Sequence, residues 1–184
     1  AVSALGELKQ FAHDDQSAIV AAFSASPFAA ANPDAVRISL ADGSVTRITS
    51  HPDYDEPVEF SPDDRWFAVG SGRGGHFFDV FSQVPRPSLI SPALESTFLY
   101  FFLTQRDPLL EPWIVDRYGE RGDYVGQQLN PHSRAEGYDG RMIMNWSPDG
   151  TSLVYWEAAT NPAGLPPGAP DSRLVVAHLS SRSP

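Results

Sequence analysis

The 184-residue sequence has no cysteine, which excludes thiol catalysis, disulfide stapling and thiolate zinc sites together. Basic residues are scarce: 13 against 23 acidic ones, for a formal net charge of −10, and Lys9 is the only lysine. So acidic a surface repels phosphate backbones and anionic lipid, and neither nucleic acid nor membrane is an expected partner. No long hydrophobic run is present; the longest, near Phe98–Leu103, falls far short of the roughly 20 residues of a spanning helix. Helical periodicity is lacking too. Gly6–Phe11 reads at most as a single helical turn, and 17 prolines with 14 glycines work against long helices. There is no Gly-x-Ser-x-Gly elbow. The histidines at 13, 51, 76, 132 and 178 have no helix-borne metal spacing, so neither a histidine-held metal nor a cofactor is expected, and a carboxylate-rich calcium site is left open. The first residue is Ala1 with no targeting segment before it, which reads as a processed chain or a piece of a longer precursor.

A core is affordable, with 41% hydrophobic and 11% aromatic residues. What organises it is a repeat. Ser61-Pro62-Asp63-Asp64-Arg65-Trp66-Phe67-Ala68-Val69 lines up with Ser147-Pro148-Asp149-Gly150-Thr151-Ser152-Leu153-Val154-Tyr155. Asp-Asp or Asp-Gly supplies the tight turn, and short apolar stretches flank it as strands. The offset equals two periods of about 43 residues, the length of a propeller blade. Ser91-Pro92 before Thr97–Phe102 is a weaker copy between them. Third strands are expected at Val36–Leu40, Phe77–Phe81, Trp113–Arg117 and Leu174–His178, with fourth strands at Thr46–Thr49 and Val125–Asn130. The expected fold is all-β: a β-propeller of four-stranded antiparallel blades. Residues 1–184 hold about four blade periods, the first without a clear inner strand and the middle one irregular. A Pro/Gly-rich excursion loop covers 157–172. Closed propellers have about 4–8 blades, so this chain reads as about half of a larger ring, completed by a second chain or fragment.

The strings Leu40-Ala41-Asp42-Gly43, Ile48-Thr49-Ser50-His51-Pro52 and Asp55–Asp64, with Gln128–Asn130 and Asn145–Gly150 as a second copy, resemble the TolB-type, WD-like propeller repeat. That resemblance covers most of 35–180. It implies a fold and leaves function open.

Chemistry is expected where loops enter the inner strands. One loop carries His51, Asp53, Tyr54, Asp55 and Glu56; the longer one carries His132, Arg134, Glu136, Tyr138, Asp139 and Arg141. Closely placed carboxyls divide into acid and base or nucleophile, as glycoside cleavage needs. Glu136, Asp139, Asp55 and Glu56 are the candidate catalytic groups. His51, Tyr54, Arg73, His76, His132, Arg134, Tyr138, Arg141, Trp156 and Glu157 are the candidate substrate contacts. The glycine-rich stretch Gly70–Gly75 offers backbone amides to an anion with Arg73 assisting, and Trp156 offers a face to a sugar. Each has a structural reading beside it: His51, Asp53 and Asp55 as bridges between blades, Gly70–Gly75 as a hairpin turn, Trp156 as a core residue. Arg121-Gly122-Asp123 reads as an ordinary turn.

Tyr54–Gly75 and Gly140–Ala158 also loosely resemble fungal saponin hydrolases, propeller proteins that release glucuronic acid from triterpenoid saponins. That resemblance implies a secreted glycoside hydrolase acting on a small-molecule or glycan ligand, with mouth arginines pairing the sugar carboxylate. The alternative is a non-catalytic TolB-like propeller that binds a peptide or protein partner.

Overall fold

The computed structural model describes residues 5–23, 33–53, 55–74, 110–130 and 133–181. Among them eleven strands form three antiparallel sheets. The first runs β1 (Leu5–Phe11), β2 (Ser17–Phe23), β3 (Pro33–Ser39), β4 (Val45–Arg47). The second runs β5 (Asp55–Phe60), β6 (Trp66–Ser71), β7 (Glu111–Asp116), β8 (Gln127–Gln128). The third has β9 (Tyr138–Trp146), β10 (Ser152–Ala159) and β11 (Ser172–His178), with β10 in the middle.

The Ser-Pro-Asp motif works through its side chains. Ser61 Oγ donates to Asp63 Oδ1 at 2.5 Å and accepts from Trp66 N at 3.1 Å. Ser147 repeats this with Asp149 at 2.6 Å and Ser152 N at 2.9 Å. The next residue takes the left-handed conformation, at φ 53° for Asp64 and 67° for Gly150. Asp and Gly tolerate that region, so each turn closes a hairpin. In the exposed second copy these bonds hold the Asp149 carboxyl down at about 2. A third copy escaped the sequence comparison. Ala12-His13-Asp14-Asp15 has the same backbone closure, Ala12 N to Ser17 O at 2.9 Å, with Gln16 N on Asp14 Oδ1 and Asp15 at φ 54°.

That turn corrects two expectations. Gly6–Phe11 is not a helical turn but lies in the strand β1, so the first sheet does have its inner strand. Register shifts at Leu5/Leu8 and Leu8/Gln10 break the period-2 alternation that would have revealed it. Nor, among the described residues, does a further sheet stand between the two sequence copies. β6 pairs β5 on one side and β7 on the other, from Trp66↔Asp116 to Ser71↔Glu111. Trp113–Asp116 therefore closes the same sheet as Trp66–Ser71, and both edges of β6 are taken before Phe77–Phe81 is reached. The long offset comes from one sheet carrying an insertion between its second and third strands. Phe77–Phe81, Ser91-Pro92 and Thr97–Phe102 lie outside the described residues.

Alternation along the strands sends residues to opposite faces, and the sheets stack through those faces. Ala12, Ile19 and Ala35 of the first sheet meet Phe60, Phe67 and Trp113 of the second. From the second sheet's other face Trp66, Ala68 and Ile114 meet Met144, Leu153 and Tyr155 of the third. Polar links reinforce both seams: Phe60 N donates to Gln10 Oε1 at 2.9 Å, and Trp146 Nε1 to Glu59 O at 3.0 Å.

Candidate functional site

Strand register sets Asp55 opposite Ser71 at the end of the second sheet, and Gly140 and Asp139 opposite Glu157 and Ala158 at the end of the third. At that end of the second sheet Arg73 is wholly buried. Its guanidinium donates to Asp55 Oδ1 at 2.8 Å, to Ser71 Oγ at 2.8 Å and to Val125 O at 2.6 Å, and pairs with Glu120 at 2.7 Å. Ser71 Oγ gives its proton to Asp55 at 2.6 Å. The expected anion-facing arginine is thus turned inward as a brace, and burial pushes the Asp55 carboxyl up while Arg73 opposes. Asp55 and Glu56, adjacent on β5, point to opposite faces. Asp55 goes under Arg73; Glu56 goes to a cavity wall where Lys9 pairs with it.

The third sheet has its own brace. Arg173, on β11, donates to Glu157 Oε2 and Glu136 Oε2 at 2.8 Å each and stacks 4.0 Å over the Tyr138 ring. Tyr138 is buried, and its hydroxyl donates to Pro170 O at 2.8 Å, tying down the loop between β10 and β11. Asp139 is buried while Glu136 is exposed, so these two nominated acids stand in opposite environments. His51 is buried and accepts from Asp53 N at 3.2 Å. Arg141, half-buried, sits across from Trp156, whose indole N–H donates to Met142 O at 3.1 Å on the third sheet's outer face. Tyr54, His76, His132 and the Arg134 side chain lie outside the described residues.

Sequence reasoning missed Glu120, Arg173, Asp34 and Arg47. Asp34 is buried, with Arg47 Nη2 at 2.5 Å from its Oδ2. Burial, helped by the nearby Asp55 and Glu120 charges and opposed by Arg47, pushes its carboxyl up to about 7. The sign follows: the unfolded carboxyl releases its proton near pH 4, whereas the folded one keeps it until about 7. The folded state binds more protons in between, so stability declines as pH rises across that window, by on the order of 2–4 kcal/mol. Asp34→Asn should flatten this slope in denaturant titrations at pH 5 and pH 8. An unchanged slope would assign it to another group.

The first strands β1, β5 and β9 line a common cavity of about 430 Å³, bordered by Glu7, Leu8, Lys9, Glu56, Glu59 and Ile143 among others. Lys9 pairs with both Glu7 and Glu56, so the wall keeps an acidic excess. Ile143 stands 63% exposed on it, at φ 75°. A β-branched residue in the left-handed region is strained, and here a bulge in β9 imposes it: Val154 pairs Asn145, but Trp156 already pairs Arg141. Among the described residues no group of three or more His, Asp or Glu could hold a metal ion.

No family model matches the chain, and no curated protein matches it in sequence. Solved structures do resemble it. TolB from Acinetobacter baumannii superposes with a TM-score of 0.51 at 16% identity, over 97% of this chain and 31% of that one. A putative TolB from Agrobacterium tumefaciens gives 0.48 at 16% identity, over 80% and 36%. The chain spans about a third of the length of either. Likeness at that identity carries the fold alone: an all-β propeller of antiparallel blades, with β1, β5 and β9 as the inner strands.

Proposed function

We propose that the chain is a non-catalytic propeller segment whose inner-strand wall receives a peptide or protein partner. The observation that carries this reading is the wall itself. Three inner strands offer an apolar tip at Ile143 and Leu8 within an acidic surround, a combination suited to a cationic segment with an apolar side chain. Strain held on an exposed residue is a mark of ligand-contacting backbone. The nominated catalytic carboxylates lend less support to hydrolysis. Asp55 is buried, with Oδ1 held by Arg73 and Ser71, Glu136 is joined to Glu157 through Arg173, and Glu56 is paired with Lys9. A general acid and base need free, converging carboxyls beside a pocket.

The test uses a fluorescent hexapeptide alternating Lys and Phe, titrated by anisotropy, beside a panel of nitrophenyl glycosides including the glucuronide. Saturable peptide binding, weakened about tenfold by Ile143→Asn (roughly 1.4 kcal/mol) and without glycoside turnover, is the expected result. Turnover abolished by Glu136→Gln or Asp139→Asn would overturn the reading, as would peptide binding indifferent to Ile143→Asn.

A further inference from the structure

We propose that the seam between the first and second sheets holds a second binding site, a pocket for a small organic carboxylate. The pocket has a volume of about 290 Å³ and is bordered by Arg37, Ile48, Phe60, Asp64, Arg117 and Tyr118 among others. It shares no residue with the inner-strand cavity. It lies at the end of the second sheet where Trp66 opposes Asp116, the far end from Arg73. Two of its arginines are held in the same way. Arg37 follows Ala35 by two residues on β3, so alternation sends it to the face that meets the second sheet. There its guanidinium lies 5.0 Å over the Phe60 ring. The Arg117 guanidinium lies 4.9 Å over the Tyr118 ring and donates from Nη2 to the Tyr118 hydroxyl at 2.8 Å. Stacking occupies the faces of both guanidiniums and fixes their planes, so what they offer a ligand is their N–H edges.

Little in the chain takes up those edges. Among the described residues Arg117 pairs with no carboxylate, and its one side-chain partner is Tyr118. Arg37 reaches one carboxylate, Asp14, at a loose 3.4 Å. Arg47 also borders the pocket but is committed elsewhere, to Asp34 Oδ2 and Thr49 O. A guanidinium edge matches the two coplanar oxygens of a carboxylate, and the surrounding charge selects among anions. Asp64 in the wall and Asp14 beside Arg37 already offset part of the arginine charge. The site therefore suits a single negative charge better than a dianionic phosphate. Ile48 and Tyr118, the latter 71% exposed, offer apolar surface to the organic body. The volume stands at the small end of ligand pockets, which run from about 300 to 1,000 Å³, and so calls for a small acid.

The test titrates benzoate into the chain and follows the arginine Nε–H resonances by NMR, with acetate and inorganic phosphate as separate arms. Benzoate should saturate with a Kd on the order of 1 mM, the range for a ligand of its size. Acetate should bind about tenfold more weakly, having no ring to bury, and phosphate more weakly than benzoate. Arg117→Gln changes an exposed side chain and should leave circular dichroism unchanged while weakening benzoate about tenfold, the worth of a charge-assisted hydrogen bond. Asp64→Asn, which tolerates the φ of 53°, should tighten benzoate about threefold by removing a like charge. A damaged fold would weaken binding instead. A benzoate titration that never saturates overturns the proposal, as does a preference for phosphate. So does benzoate binding that is indifferent to Arg117→Gln or weakened by Asp64→Asn.

Discussion

Arg73→Leu is expected to lower stability by about 3–5 kcal/mol, the range for stripping one partner from a buried ion pair. That is a large share of the 5–15 kcal/mol a domain commands. The argument turns on what stays behind. Asp55 is fully buried, and in the variant it keeps one neutral donor, Ser71, while Glu120 loses its counter-charge. The carbonyl of Val125 also loses its donor, so the turn before β8 loosens. Chemical denaturation at pH 7 measures the loss. Adding Asp55→Asn should recover part of it by removing the stranded charge, whereas a purely steric role for Arg73 predicts no recovery. A loss below about 1 kcal/mol would mean that Asp55 simply takes up a proton, as its raised carboxyl permits.

Phe67→Ala ranks beside it, at about 3–5 kcal/mol for an aromatic removed from a closed core. Phe67 is fully buried, its ring 5.5 Å from that of Phe60, at the seam where Ile19 and Ala35 of the first sheet arrive. Close-packed sheets relax only partly around such a hole, so the cavity persists. Because the residue belongs to two sheets at once, hydrogen exchange should quicken together in β2 and β6. Acceleration confined to β5 and β6 would show the first sheet folding independently.

Much of the fold was legible because its turns are written in side-chain chemistry. Asp63 and Asp149 accept the bonds that define the hairpins, and their letters survive in both copies. The third turn hid because Ala12 and His13 replace Ser and Pro, leaving Asp14 as the side chain that accepts within the turn while backbone bonds of Ala12 close it. β1 hid because its bulges erase alternation, and because Glu7 and Lys9 face a cavity rather than a core. The candidate site was half legible. Polar residues at strand ends mark one end of the sheets, but not which way each one turns. Arg73 meets Glu120 only because β7 comes back to β6 after a long detour, a contact with no trace in local sequence. Arg173 lies 37 residues from Glu136 in the chain, and an isolated arginine in an edge strand reads as a solvated one.

The insertion between β6 and β7 also sets the order of assembly. Elsewhere neighbouring strands are joined by tight turns or modest loops, so most pairings arise between close neighbours in the chain. Joining Ser71 to Glu111 instead closes a loop of roughly 40 residues. Relative to a five-residue hairpin, that closure costs about 2 kcal/mol more in chain entropy. The first and third blades can therefore zip from their own hairpins, while the central one waits for a distant return. The blade that both seams depend on is the slowest to nucleate, which makes its completion the step that commits the whole arc.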